Sequence, residues 1–291
     1  MFHDWYPSYR EKVDAALTTF FSERYTQIAS DTENRFQEAM QYTSTMKGKR
    51  IRPILAMIMY EEVIGLPADV ILPYIIGIEF LHSSFLVHDD LQALDNDEFR
   101  SGEPSLWKKY DEATAILVGD ALQALGIECL SRGKNMMVVM EAVQAIGDMG
   151  MIRGQIRDLF SDQSTMNQRD IIRLQDEKTA KLISASLIIG GLMGGMHDHE
   201  SIERLRWFGV LLGRAFQVRD DIMDFEGVDV PLGKTAKKDI ANHRGMVAFM
   251  GINKTKDLLQ ELEFALLEIA NTFQTPKFSD MVEFIVHGEV K

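Results

Sequence analysis

Two acidic clusters restrict how this chain can fold. The first is Asp89-Asp90-Leu91-Gln92-Ala93-Leu94-Asp95 and the second is Asp220-Asp221-Ile222-Met223-Asp224. Each follows a largely apolar run, Phe85-Leu86-Val87 in one case and Ala215-Phe216-Gln217-Val218 in the other. Carboxylates crowded beside an apolar wall repel one another and are costly to desolvate. The fold must place cations among them. Hard divalent ions such as Mg²⁺ take oxygen ligands and commonly bridge to phosphate. Either cluster alone also reads as a solvated acidic helix end. The two together, each abutting an apolar run and each followed by basic residues, point to a Mg²⁺–phosphate site lined by apolar side chains.

The periodicity between the clusters is helical. Val13, Leu17 and Phe20-Phe21 give one apolar face, and Ile54, Met57-Ile58 and Val63 another. Ala115 to Leu130 and Leu205 to Phe225 read as further helices. Leu258, Leu262, Leu266-Leu267 and Ile269 mark an amphipathic helix near the end. Alternating strand patterns and Asn-Gly or Asp-Gly hairpin turns are lacking. Ile183 to Met196 is apolar all round, as a helix buried on every side would be. Its Gly190-Gly191 and Gly194-Gly195 pairs allow close backbone approach or leave room for a ligand. The expectation is an all-α fold, one helical domain over residues 1–291.

Hydrophobic residues make up 46% of the 291, enough for a packed core, and the net charge of −13 excludes a protein that needs a basic face for nucleic acid. The single cysteine, Cys129, rules out an intrachain disulfide and fits a reducing cytoplasm. It sits in an apolar stretch as a small core residue. The N-terminal residues carry no signal-peptide pattern, and the apolar runs Val70–Phe80 and Leu182–Met196 are interrupted, so no transmembrane segment is expected.

In the second cluster, Asp220 and Asp224 are four apart and share a helical face, with Asp221 about 100° round. In the first, Asp89 and Asp95 are six apart. The helix must end or deform there, or Asp95 must reach in from a loop. Basic residues flank both clusters. They are Lys49, Arg50 and Arg52 in Gly48-Lys49-Arg50-Ile51-Arg52-Pro53, then Arg100, Lys178 and Lys234. Each alone reads as a surface cation. Together they supply the charge that two diphosphates need, through charge-assisted hydrogen bonds. His82 lies on an apolar helix, where a satisfied core histidine is common, and only its place before Asp89 makes it a ligand candidate.

With these landmarks the chain resembles the trans-isoprenyl diphosphate synthases, such as farnesyl and geranylgeranyl diphosphate synthases. Further matches are Gly119-Asp120, Gly154-Gln155, Lys178-Thr179 and Gly233-Lys234. The resemblance implies a deep apolar cavity in a helical bundle. It also implies Mg²⁺, three ions with substrate bound, held by Asp89, Asp95 and Asp220 on an allylic diphosphate. Asp90, Asp221 and Asp224 then orient or complete the shell. Arg100, Lys178 and Lys234 hold the same diphosphate. Lys49, Arg52 and His82 hold isopentenyl diphosphate, while Thr179 and Gln217 face the allylic cation. A homodimer is implied as well.

The product tail is expected to run along the helix that leads to Asp89. Phe85 lies one turn back from Asp89 and Leu81 another turn beyond. A bulky Phe85 floors the pocket while the small Ser84 opens it, so farnesyl or geranylgeranyl diphosphate is the expected product. Phe85 as plain core is the simpler alternative. Three departures from the resemblance stand out. Arg100-Ser101-Gly102 replaces an Arg-Arg-Gly run, Asn242-His243-Arg244-Gly245-Met246-Val247 replaces a lysine-bearing run, and Arg153 stands in place of a glycine. They leave two alternatives to the synthase: a weakly active or non-catalytic modulatory subunit, and a terpene cyclase. Retention of all six aspartates weighs against the first. The Asp220–Asp224 pattern and the residues Lys49, Arg52 and His82 weigh against the second.

Overall fold

The computed structural model describes residues 2–25, 30–162, 165–227 and 245–288. The expected helices are present. The first apolar face lies on α1 (Phe2–Arg24), with Pro7 inside the helix, where its ring removes one amide donor from the helical ladder. A Ser30–Glu33 capping box starts α2 (Asp31–Ser44). Two helices then form the centre. They are α3 (Ile51–Ile64), which opens on left-handed Arg50, and α4 (Leu72–Asp89), apolar on nearly every face and buried on nearly all of them. A two-residue ribbon, β1 (Phe99–Arg100) paired antiparallel with β2 (Glu103–Pro104), interrupts the helical order. It is too short to leave an alternating signature in the sequence.

The chain continues through α5 (Leu106–Lys109), α6 (Glu112–Ser131), α7 (Met136–Ile146), α8 (Met151–Phe160) and α9 (Gln168–Gln175). A π-helical turn, Asp176–Ala180, joins α9 to α10 (Lys181–Met193). Then come α11 (His199–Glu226), α12 (Gly245–Met250), α13 (Ile252–Ala270) and α14 (Lys277–His287). The side chains of α4, α10 and α11 that face inward join one continuous hydrophobic core, which includes Cys129. Burial pushes the Cys129 thiol up to about 11, so it is an inert core group.

Two close approaches set the geometry around the site. The α4 and α6 backbones meet at Gly77 and Gly126, where an added Cβ on either would strike the other's carbonyl oxygen. Gly190 on α10 lies against the backbone of Ala56 on α3. Its lack of a side chain serves helix packing, which settles the open choice between packing and ligand space at that residue. Two helical stretches, 68–89 and 112–131, are long and apolar enough to cross a bilayer by length and composition alone, a test the interrupted apolar runs of the sequence did not foresee. Of their most apolar windows, 72% and 44% are buried in the fold. The first is a core helix. The second, α6, leaves Ile116 and Leu117 exposed.

Candidate active site

Helix α4 ends at Asp89, and the chain turns back on itself so that Asp95 N–H donates to the Asp89 carbonyl at 2.9 Å. This is the break the six-residue spacing demanded. Asp89 and Asp90 at this end line the same cavity as Asp220 on α11, so each acidic cluster contributes to one space. The cavity has a volume of about 460 Å³. Its basic side carries Lys49, Arg52, His82 and Arg100, and its apolar wall includes Phe85, Met151, Ile183 and Phe216.

The carboxylates are not equivalent. Burial pushes Asp89 up to about 7; Asp95 and Asp90 add to the shift while Lys178 and Arg100 oppose it. A carboxyl held that high lacks the positive charge it needs to ionise comfortably. Asp90 is buried and gripped through both oxygens by Arg100, whose Nε donates at 3.1 and 3.3 Å and whose Nη2 also binds it. Asp221 is buried and accepts from Gln175 Nε2 at 3.0 Å, Gln217 Nε2 at 3.1 Å and the Met246 amide at 2.7 Å. Its oxygens are used in joining α11 to α9 and α12. Asp95, Asp221, Asp224 and Gln217 lie outside the cavity lining, and Asp220 stands exposed at the mouth.

Oxygen donors from both walls suit Mg²⁺. Among the described residues, no three acidic or histidine side chains converge tightly enough to hold an ion by themselves. The carboxylates Asp89 and Asp220 therefore fit an ion whose remaining ligands come from a bound diphosphate and water. The uncompensated position of Asp89 is the structural sign of that fit.

The basic side differs from the sequence expectation in its pairing. Lys178 Nζ donates to Asp158 Oδ2 at 2.5 Å. Burial works against the Lys178 ammonium, yet Asp158, Asp89 and Asp95 outweigh it and hold it above its ordinary value. Arg50 is buried between Asp14 at 2.8 Å and Glu79 at 2.6 Å, so this cation supports the fold and neutralises Glu79. Lys49 Nζ lies 5.9 Å from the ring centres of both Phe216 and Phe284, which brings α14 to the site. Ser101 lines the cavity from a left-handed position in the ribbon turn, without the charge the resemblance expects there. Lys234, with 242–244, lies outside the described residues.

Arg52 and His82 form the most specific feature. Arg52 Nη1 approaches His82 Nε2 at 3.0 Å. A guanidinium only donates, so Nε2 must accept and the ring proton sits on Nδ1. Burial, with Arg52, Arg100 and Arg50 nearby, pushes His82 well below its ordinary value and keeps it neutral. Burial also pulls Arg52 down to about 10, with Glu79 opposing, which leaves it charged at neutral pH. Arg52 Nε and His82 Nδ1 are both buried without a protein partner. Two buried N–H donors in want of an acceptor favour an anion there.

Phe85 lines the cavity, as expected of a floor residue. Ser84 does not. It is fully buried and donates to the Leu81 carbonyl at 2.7 Å. Leu81 packs against Gly126 at the α4–α6 contact, so the tail path does not pass over it. Thr179 lines the cavity and donates to Gln217 Oε1 at 3.2 Å, and Gln217 donates in turn to Asp221. Sequence reasoning missed Asp158. Its signal was a position four residues after Gly154, on the same helical face. It also missed the π turn, whose extra residue has no pattern of its own.

A cavity in a helical bundle lined by carboxylates of both clusters, buried donors and apolar side chains suits a phosphorylated apolar substrate. Polyprenyl synthetases match residues 33–274 of the chain as a family. The farnesyl diphosphate synthase of Micrococcus luteus is 35% identical over 235 residues, 79% of this chain and 80% of that protein. Geranylgeranyl pyrophosphate synthase 7, chloroplastic, of Arabidopsis thaliana is 37% identical, covering 78% and 68%. The structure of a geranyltransferase from Helicobacter pylori complexed with magnesium and isoprenyl diphosphate superposes with a TM-score of 0.80 at 28% identity, covering 98% of this chain and 96% of that one. The chain belongs to the polyprenyl synthetase family and carries its all-α fold and trans-prenyltransferase activity.

Proposed function

We propose that this short-chain prenyltransferase joins isopentenyl diphosphate to an allylic diphosphate, dimethylallyl, geranyl or farnesyl, and forms farnesyl or geranylgeranyl diphosphate. The observation that carries the reading is the meeting of Asp89, Asp220, Arg52 and His82 on one cavity with an apolar wall. Bound Mg²⁺, three ions in the filled site, would supply the positive charge that the leaving diphosphate needs. Asp89 and Asp220 would hold the metal, with the bound diphosphate and water as its remaining ligands, while Asp95 and Asp224 lie outside the cavity lining. Lys178, fixed by Asp158, donates to the allylic diphosphate. Arg52 Nε and His82 Nδ1 donate to isopentenyl diphosphate, with Lys49 beside them. Its double bond attacks the allylic carbon, and the released diphosphate takes the proton lost from the condensed product. The Phe85, Ile183 and Phe216 side chains exclude water that would capture the cation. Thr179, hydrogen-bonded to Gln217 behind the cavity lining, would face that carbon. Asp90 positions Arg100, and Asp221 positions Gln217.

The working unit is a homodimer in the cytoplasm. Exposed Ile116 and Leu117 on α6 and Met136, Met137, Met140 and Val143 on the adjoining α7 support the dimer, because exposed apolar surface favours a partner. The single buried cysteine agrees with a reducing compartment. Incubation with Mg²⁺, isopentenyl diphosphate and each of the three allylic primers, with products sized by mass spectrometry, tests the reading. Elongation of at least one primer is expected, and failure with all three defeats it in favour of a modulatory subunit.

A further inference from the structure

The π turn Asp176–Ala180 is held at every residue. Asp176 accepts from Arg214 Nε and Nη2, both at 2.7 Å. Lys178 is bound to Asp158 and Thr179 to Gln217. Ala180 lies against Gly213, where an added Cβ would collide with it. Glu177 has the densest set of partners. Only 3% exposed, it takes Arg153 Nη2 at 3.0 Å, Arg157 Nε at 2.7 Å and Arg173 Nε at 3.1 Å. Two of these arginines sit on α8 with Asp158 and with Gly154, whose missing side chain lets α8 touch the Lys178 backbone. Arg153 is the residue that stands in place of an expected glycine.

A π turn carries one more residue than an α turn and persists where tertiary contacts hold it. Relaxing it to α geometry shifts the helix register by one residue, which rotates Lys178 and Thr179 about 100° relative to α10. A buried carboxylate with three guanidinium partners resists that rotation. Taking the charge away leaves three cations crowded beside Lys178.

We propose that Glu177, clamped by Arg153, Arg157 and Arg173, is a positioning residue that fixes the π turn and thereby sets where Lys178 and Thr179 meet the allylic diphosphate. This rests on the reading of those two residues as part of the allylic subsite. The clamp acts on one substrate only, since Arg52 and His82 are carried by α3 and α4 and do not depend on the turn.

The test uses the full chain with Glu177→Gln and, as a milder perturbation, Arg153→Gln. Steady-state kinetics vary geranyl diphosphate and isopentenyl diphosphate separately, and hydrogen exchange reads the amides of 176–180. Glu177→Gln is expected to raise KM for the allylic diphosphate about tenfold or more, leave KM for isopentenyl diphosphate within about twofold, and speed exchange across the turn. Arg153→Gln shifts the same quantities in the same direction by less, and decides the matter if Glu177→Gln does not fold. A Glu177→Asp variant recovers part of the loss. Equal shifts in both KM values, or unchanged exchange at 176–180, overturn the proposal. If the unmutated chain elongates no primer, the functional reading fails separately. Exchange protection of 176–180 by inorganic pyrophosphate with Mg²⁺ then tests the clamp, with protection in the unmutated chain and its loss in Glu177→Gln expected.

Discussion

Replacing Ser101 with arginine should strengthen isopentenyl diphosphate binding. Ser101 lines the cavity on the ribbon turn beside Arg100 and already has left-handed backbone, so an arginine there adds no backbone strain that serine lacks. The nearby carboxylate that would compete for it, Asp90, is already gripped through both oxygens by Arg100. The new guanidinium is therefore available to a phosphate. A unit charge pair at about 4 Å interacts by ~4 kcal/mol at an effective dielectric of 20. Desolvation and side-chain ordering reduce this to the ~1.5–3 kcal/mol typical of hydrogen bonds to charged groups, or about ten- to 150-fold in affinity. Steady-state kinetics of Ser101→Arg at fixed geranyl diphosphate should show KM for isopentenyl diphosphate falling by about tenfold with kcat little changed. The gain should shrink as salt is raised. An unchanged KM, or one that falls equally for the allylic substrate, would refute the assignment of Ser101 to that subsite.

Three further outcomes follow from the same geometry. Phe85→Ala should shift the product distribution, sized by mass spectrometry, toward longer chains, and an unchanged distribution removes Phe85 as the floor of the cavity. Asp89 is held at about 7 when folded against an ordinary carboxyl near 3.8, so the folded chain binds a proton there that the unfolded chain releases. Its contribution to the metal-free protein is thus favourable in acid and lost as pH rises from about 4 to 7. Thermal melts of Asp89→Asn should lack up to roughly 4 kcal/mol of that decline, and parallel profiles for the two proteins would contradict the shift. Gly190→Ala should cost about 1–3 kcal/mol by driving a methyl into the Ala56 backbone, read as a lower Tm with kcat unchanged while the protein stays folded.

The sequence made the helical architecture legible because helical periodicity is local. The faces of α1, α3, α6, α11 and α13 all emerged from spacing alone. The break after Asp89 was legible too, since a six-residue interval cannot lie on one helical face. What spacing could not reveal is how charges pair across the fold. Asp14 and Glu79 neutralise Arg50 from different helices, and Asp158 reaches Lys178 across twenty residues; its place one helical turn after Gly154 marked the residue but not its partner. Ser84 and Leu81 show the other limit. An apolar helix such as α4 gives no polar face to orient it, so which residues meet the cavity and which meet α6 depends on the Gly77–Gly126 approach. Asp221 sits beside Asp220 in the sequence yet serves α9 and α12, because one step along a helix turns a side chain by about 100°.

In the proposed function, residues of the two acidic clusters form one metal site that a diphosphate completes. Calorimetry of Mg²⁺ binding, with and without inorganic pyrophosphate, tests it directly. Weak binding alone, at least about tenfold tighter binding with pyrophosphate, and loss of that gain in both Asp89→Asn and Asp220→Asn are predicted. Tight binding without pyrophosphate, or a gain that survives either substitution, would contradict it.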